Sequence, residues 1–207
     1  MKKNCLVIGI TGFAMTGKNL AADLIKSEFD KLNLKTTNYA FADQLKYELT
    51  PFIKKNFEVD IRETNGIQKS LFRPLMVDYG LLRRKMSQNR YWIECLNKKI
   101  QKDSFSDIIT ISDLRYIESK NDEFYYIKKE LGGIVLYIDK CKIIKGKKYW
   151  TKPPNEAEKV NIPILENKSN CAIYWKDCGG NIDKINKKCL PHIQKFVNFL
   201  KTMINIE

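Results

Sequence analysis

Directly after the apolar run Cys5–Ile10, the chain reads Gly12-Phe-Ala-Met-Thr-Gly17-Lys18-Asn19. This order predicts a strand, a glycine-bounded loop and a helix. Gly12 and Gly17 let the backbone turn tightly and aim successive N–H groups inward, and Lys18 adds a cation beside them. Behind the loop, Ala21, Ile25, Phe29 and Leu32 recur at helical spacing, and the start of that helix contributes partial positive charge. Such a loop is a cradle for the phosphates of a nucleoside triphosphate, with Gly12, Thr16, Gly17, Lys18, Asn19 and Leu20 as its expected contacts. The residue after the lysine usually supplies a hydroxyl to Mg²⁺. Here it is Asn19, whose amide oxygen can face a magnesium-bound water but carries no charge.

At 207 residues the chain is long enough for one α/β domain and short for two. No apolar stretch is long enough to span a bilayer, and the Met-Lys-Lys start is a poor signal peptide. The six cysteines form no Cys-x-x-Cys pair and the one histidine is His192, which argues against zinc. Reduced thiols in a cytoplasmic setting are the expectation. The net charge of +13 invites a nucleic-acid reading. Only six of the 37 basic residues are Arg, however, and Lys, Asn and Ile abound, as an AT-rich coding sequence would produce. Scattered lysines on solvated faces are the preferred reading, and nucleic acid is not the expected partner. All six arginines fall between Arg62 and Arg115. Because arginine holds phosphate bidentately, at least two of them are expected at an anion site.

Further along, Lys35–Phe41 reads as a second strand. Asp43 is placed to cap a helix running to about Asn56 despite Pro51, and residues 57–68 read as loop. Two amphipathic helices, Lys69–Met86 and Arg90–Lys102, are expected to pack Leu71, Leu75, Leu82, Trp92, Ile93 and Leu96. A third strand, Asp107–Ser112, ends at Asp113. A helix from about Asp122 to Leu131 stops at Gly132-Gly133, and Ile134–Ile138 gives a fourth strand. Residues 139–168 lack clear periodicity and hold six lysines between Lys140 and Lys152, followed by Pro153-Pro154. A basic lid-like flap and a plain solvated loop both fit them. Cys171–Trp175 reads as a last strand, and Ile193, Phe196, Val197, Leu200 and Ile204 share one face of a final helix. The whole is a mainly parallel, five-stranded sheet flanked by helices, with its site at the carboxyl ends of the strands. No helix shows a seam long enough to argue for or against a homodimer.

Asp113, at the tip of a buried strand, would lie beside the phosphate loop and could hold magnesium through water, or it could cap a helix. Arg115 could neutralise a transferring phosphoryl group or pair with Asp113. Asn167-Lys-Ser-Asn170 and Asp177-Cys-Gly-Gly180 echo motifs of guanine-nucleotide switches, but in reversed order and without the acid that reads guanine.

Taken together, Phe41-Ala-Asp43-Gln-Leu-Lys46, Gly80 with Arg83-Arg84 and Arg90-Tyr-Trp92-Ile, and Ser112-Asp113-Leu-Arg115-Tyr116 with Glu123 and Gly132-Gly133 resemble the deoxynucleoside monophosphate kinases of bacteriophages and large DNA viruses. The resemblance runs from the phosphate loop to about residue 135, and more faintly through Asn155-Glu-Ala-Glu158 to the last strand and helix. It implies a three-layer, adenylate-kinase-like P-loop fold across 1–207, with 139–168 as the lid, working in a host cytoplasm. It also implies transfer from ATP, with Mg²⁺, to a deoxynucleoside monophosphate. Lys18 would hold the donor phosphates, Asp113 would organise the magnesium with Asn19, and Arg115 would stabilise charge in transfer. Asp43, Lys46, Arg73, Arg84 and Arg90 would line the acceptor pocket, with Trp92 packing behind it or touching the base. Where that family tends to have Arg after the fourth strand, this chain has Lys140 and Lys142. The alternatives are a P-loop kinase of another small substrate, similar to dephospho-coenzyme A or phosphomevalonate kinases, and a basic nucleic-acid-binding NTPase.

Overall fold

A computed structural model describes residues 5–63 and 66–204 of the chain. The apolar run ahead of the glycine loop forms β1 (Leu6–Thr11), which lies between β3 (Ile108–Leu114) and β4 (Ile134–Ile144), pairing in parallel with both. β2 (Thr36–Tyr39) pairs in parallel with β3, and β6 (Cys171–Lys176) pairs in parallel with β4. These are the five parallel strands the sequence predicts.

The sheet has a sixth strand. β5 (Lys147–Trp150) turns back antiparallel on the far half of β4, so the sheet is mixed. The segment 139–168 is therefore not a loop. β4 continues to Ile144, a tight turn at Lys145-Gly146 with positive φ at both residues makes a hairpin, and α6 (Glu156–Lys168) follows. Asn155 starts α6 by accepting the Glu158 N–H at 2.9 Å.

Helices cover both faces of the sheet and make two cores. On one face α1 (Lys18–Asp30) and α8 (Leu190–Ile204) bury Ala21, Ile25, Phe29, Ile193, Phe196, Val197 and Leu200 against Ile8, Ile10 and Ile138. On the other, α2 (Ala42–Phe57), α4 (Tyr91–Lys102) and α6 pack Leu45, Leu49, Trp92, Ile93, Leu96 and Ile162 against Val7, Ile109 and Val135. The alternation of Val7 and Ile8 between these cores is the two-residue period of a strand buried on both faces.

α3 (Gly66–Met86) starts earlier than the sequence predicts and behaves differently. Leu71 and Leu82 are mostly exposed and Leu75 is more than a third exposed, so these three leucines do not join the core. The helix expected from Asp122 is a short turn, α5 (Glu123–Tyr125), that passes into a π-helical turn over Tyr126–Glu130. α7 (Ile182–Lys188) precedes α8, and His192 is exposed. The side chain of Ile204 lies outside the described residues. All six cysteines are unbridged, although the Cys178 and Cys189 sulfurs lie 3.8 Å apart. Among the described residues no helix is long and apolar enough to cross a membrane.

Candidate functional site

The glycine loop closes at the carboxyl end of β1, and its shape depends on neighbours far away in sequence. Gly12 has φ +139, and a Cβ there would lie 2.1 Å from the carbonyl oxygen of Ile138 on β4. Gly17 has φ +99, with the Trp175 ring 2.9 Å from where its Cβ would be. Both positions need glycine for backbone and space alike. Trp175, on β6, also donates its indole N–H to the Thr16 carbonyl at 2.9 Å. Thr16 is buried, and its hydroxyl donates to the Phe13 carbonyl at 2.9 Å, so it shapes the loop from within. Leu20 packs into the α1–α8 core and does not reach the site.

Lys18 opens α1 but folds back over its own loop. Its Nζ donates to the carbonyls of Gly12 at 2.6 Å and Phe13 at 2.7 Å. Burial and the Arg115 guanidinium lower its pKa to about 8, against the opposing pull of Glu158 and Asp113. No side chain caps α1.

A bulge aims Asp113. Between the pairs Gly9–Ile111 and Thr11–Leu114, β1 advances two residues and β3 three. The Asp113 carboxylate then accepts the Phe41 N–H at 2.8 Å on one oxygen and the Ala42 N–H at 2.9 Å on the other. It thus caps α2, the role expected of Asp43. Asp43 instead sits in the first turn of α2, 3.9 Å from Lys46. Burial pushes the Asp113 carboxyl above its ordinary pKa, with Arg115 and the two N–H groups opposing. Burial weakens the Arg115 cation, but Asp113, Glu158 and Glu123 outweigh it and hold the guanidinium above its usual range.

Two buried acids complete this end of the site. Glu158, on α6, accepts the Ala14 N–H of the glycine loop at 2.8 Å and lies 4.0 Å from Arg115. Glu123 accepts the Arg115 N–H at 2.8 Å and the Tyr116 N–H at 3.3 Å, and burial raises its carboxyl to about 8. Glu123 is among the residues that carry the family resemblance, which implies no role for it. Glu158 carries only the faint signal of Asn155-Glu-Ala-Glu158.

One cavity of about 620 Å³ gathers most of the expected residues. Its walls include Gly17, Lys18, Asn19, Asp113 and Arg115, and also Asp43, Lys46, Arg73, Arg84 and Trp92. Arg84 reaches it while buried, bonded to Asp122 at 2.8 Å and lying 3.5 Å over the Tyr116 ring. Trp92 is a packing residue of the wall: it is buried, donates its N–H to the Gly80 carbonyl at 3.1 Å, and meets Tyr79 and Tyr91 edge-on.

Arg90 does not line the cavity. Its guanidinium is engaged by Glu94 at 2.7 Å and by Glu130, tying α4 to the turn after α5. Thr37, Tyr39, Tyr79 and Tyr91 are likewise absent from its walls. Their hydroxyls are spent on Ser106, Asp103 and, for both Tyr79 and Tyr91, Glu48. The hairpin lysines do not line the cavity either, and Lys140 and Lys142 approach Asp177 at 3.6 and 3.8 Å. Among the described residues no group of three His, Cys, Asp or Glu side chains is placed to hold a metal ion.

Compared with models of known protein families and with curated protein sequences, the chain matches none.

Proposed function

We propose that this protein transfers the terminal phosphoryl group of ATP to a deoxynucleoside monophosphate. One observation carries the reading: the phosphate loop with Lys18 and the cluster of Asp43, Lys46, Arg73 and Arg84 line the same cavity. A donor and an acceptor held in one space supply the alignment that phosphoryl transfer requires, and there is little covalent chemistry left for the protein to do.

On this reading the loop N–H groups and Lys18 bind the donor phosphates. Arg115 neutralises charge on the group in transfer. Arg73 and Lys46 meet the acceptor phosphate, and Arg84, already bound to Asp122, fixes the wall beside them. Magnesium bound with ATP would neutralise phosphate oxygens. This chain offers it a neutral amide, Asn19, and a carboxylate already accepting two N–H groups, Asp113, so phosphate oxygens and water would hold it chiefly.

The test is phosphate transfer from ATP–Mg²⁺ across a panel of deoxy- and ribonucleoside monophosphates. Lys18→Ala and Arg115→Ala should abolish turnover, whereas Lys187→Ala, on the exposed α7, should change little. Equal effects from all three would reject the assignment. Intact ATP binding with no transfer to any nucleotide would move it to another small acceptor.

A further inference from the structure

Glu158 is 4% exposed, yet its carboxylate is not balanced within its own helix. It stands three residues after Asn155, whose side chain starts α6. A glutamate at that position ordinarily returns to the N–H of the capping residue. Here it reaches across the fold instead and takes the N–H of Ala14, 2.8 Å away in the phosphate loop. Its other oxygen lies 4.0 Å from Arg115, and its charge strengthens the proton hold of Lys18. An internal carboxylate therefore sits among a loop N–H, a guanidinium and an ammonium. Those are the groups that would receive a phosphoryl group, and all four residues line the one cavity.

A carboxylate oxygen and a phosphoryl oxygen are both charged acceptors, and one N–H cannot serve both at full strength. We propose that Glu158 occupies the position of the ligand's terminal phosphoryl group and is displaced from Ala14 when a polyphosphate binds. This rests on the reading of the cavity as a polyphosphate site. The displacement has a path outward. One turn after Glu158, Asn161 accepts the Ile117 N–H at 3.0 Å and donates to Glu118 at 2.8 Å, so α6 is bonded to the segment that follows Arg115. Filling the loop thus loads α6 and, through it, the chain around Arg115.

Inorganic tripolyphosphate, titrated by calorimetry, tests this without requiring catalysis. Glu158→Gln removes the competing charge and should tighten binding roughly tenfold, about the worth of one charge-assisted hydrogen bond. Glu158→Asp keeps the charge but shortens the reach to Ala14, so it too should tighten binding. Tightening in Glu158→Gln alone would mean that only long-range repulsion is relieved, and would overturn the proposal. Unchanged or weaker binding in both variants would overturn it as well. If Glu158→Gln fails to fold, the Glu158→Asp result decides. Wild-type protein that is folded yet binds no tripolyphosphate would reject the polyphosphate reading itself.

Discussion

The indole N–H of Trp175 donates to the carbonyl oxygen of Thr16 at 2.9 Å, making the last strand a strut for a loop 159 residues earlier. Trp175→Phe removes this bond together with the indole atoms that lie nearest Gly17. The fold should persist, and tripolyphosphate affinity should fall several-fold, in line with about 1 kcal/mol for one hydrogen bond. Calorimetry reads it directly, and an unchanged affinity would show that the loop holds its shape without the strut.

Lys18 gives the site a pH dependence. With its pKa lowered to about 8, mainly by burial, the ammonium form is lost as pH rises through that value. Polyphosphate binding favours the ammonium, so affinity should decline between about pH 7 and pH 9. Lys18→Arg keeps its charge over that range and should flatten the profile even where absolute affinity drops. Parallel profiles for the two proteins would assign the decline to another group.

Removing Arg84 should damage the fold more than the chemistry. Its guanidinium is the buried partner of Asp122, which has no exposure of its own. Arg84→Ala leaves that carboxylate with the Ser119 N–H but no cation, a loss on the order of 3–5 kcal/mol. Urea unfolding measures it, and a loss below about 1 kcal/mol would mean that the pair is replaced by water.

The raised carboxyl of Glu123 acts on stability in the opposite sense from an ordinary ion-paired acid. Its folded pKa of about 8 lies above the unfolded value, so the native state holds the extra proton between them. Stability should therefore fall as pH rises from about 4.5 to 8, by at most about 1.4 kcal/mol per pH unit from this group. Glu123→Gln has no proton to lose and should flatten that slope in chemical denaturation. An unaltered slope would place the titration elsewhere.

What the sequence made legible was local. Gly12, Gly17 and Lys18 sit within seven residues, and the loop, its flanking strand and its helix could be read together. The second half of the site comes from distant segments. Glu158 meets Ala14 and Trp175 meets Thr16 only because β4 and β6 bring those segments beside β1, and no spacing rule encodes that. α6 carries no clear helical signal because Pro153 and Pro154 precede it, Pro163 interrupts it, and Val160 and Ile164 face outward. Leu71, Leu75 and Leu82 show the converse failure. Their period marks a helix correctly but does not say which face the fold covers. Asp113 was legible as an acid at the tip of β3, but that it accepts two N–H groups at the start of α2 depends on β2 lying beside β3.

β4 runs unbroken from Ile134 to Ile144, touching both ends of the machinery. Its first half is wedged between β1 and β6, and the Ile138 carbonyl presses on Gly12. Its second half is one leg of the lysine-bearing hairpin. A hinged flap can swing without disturbing what it covers, but this arm has no joint between base and tip. Any force on the hairpin works as leverage on Gly12 unless the ladder near Lys140 and Cys141 gives way. The hairpin lysines and the glycine loop are thus served by one continuous beam.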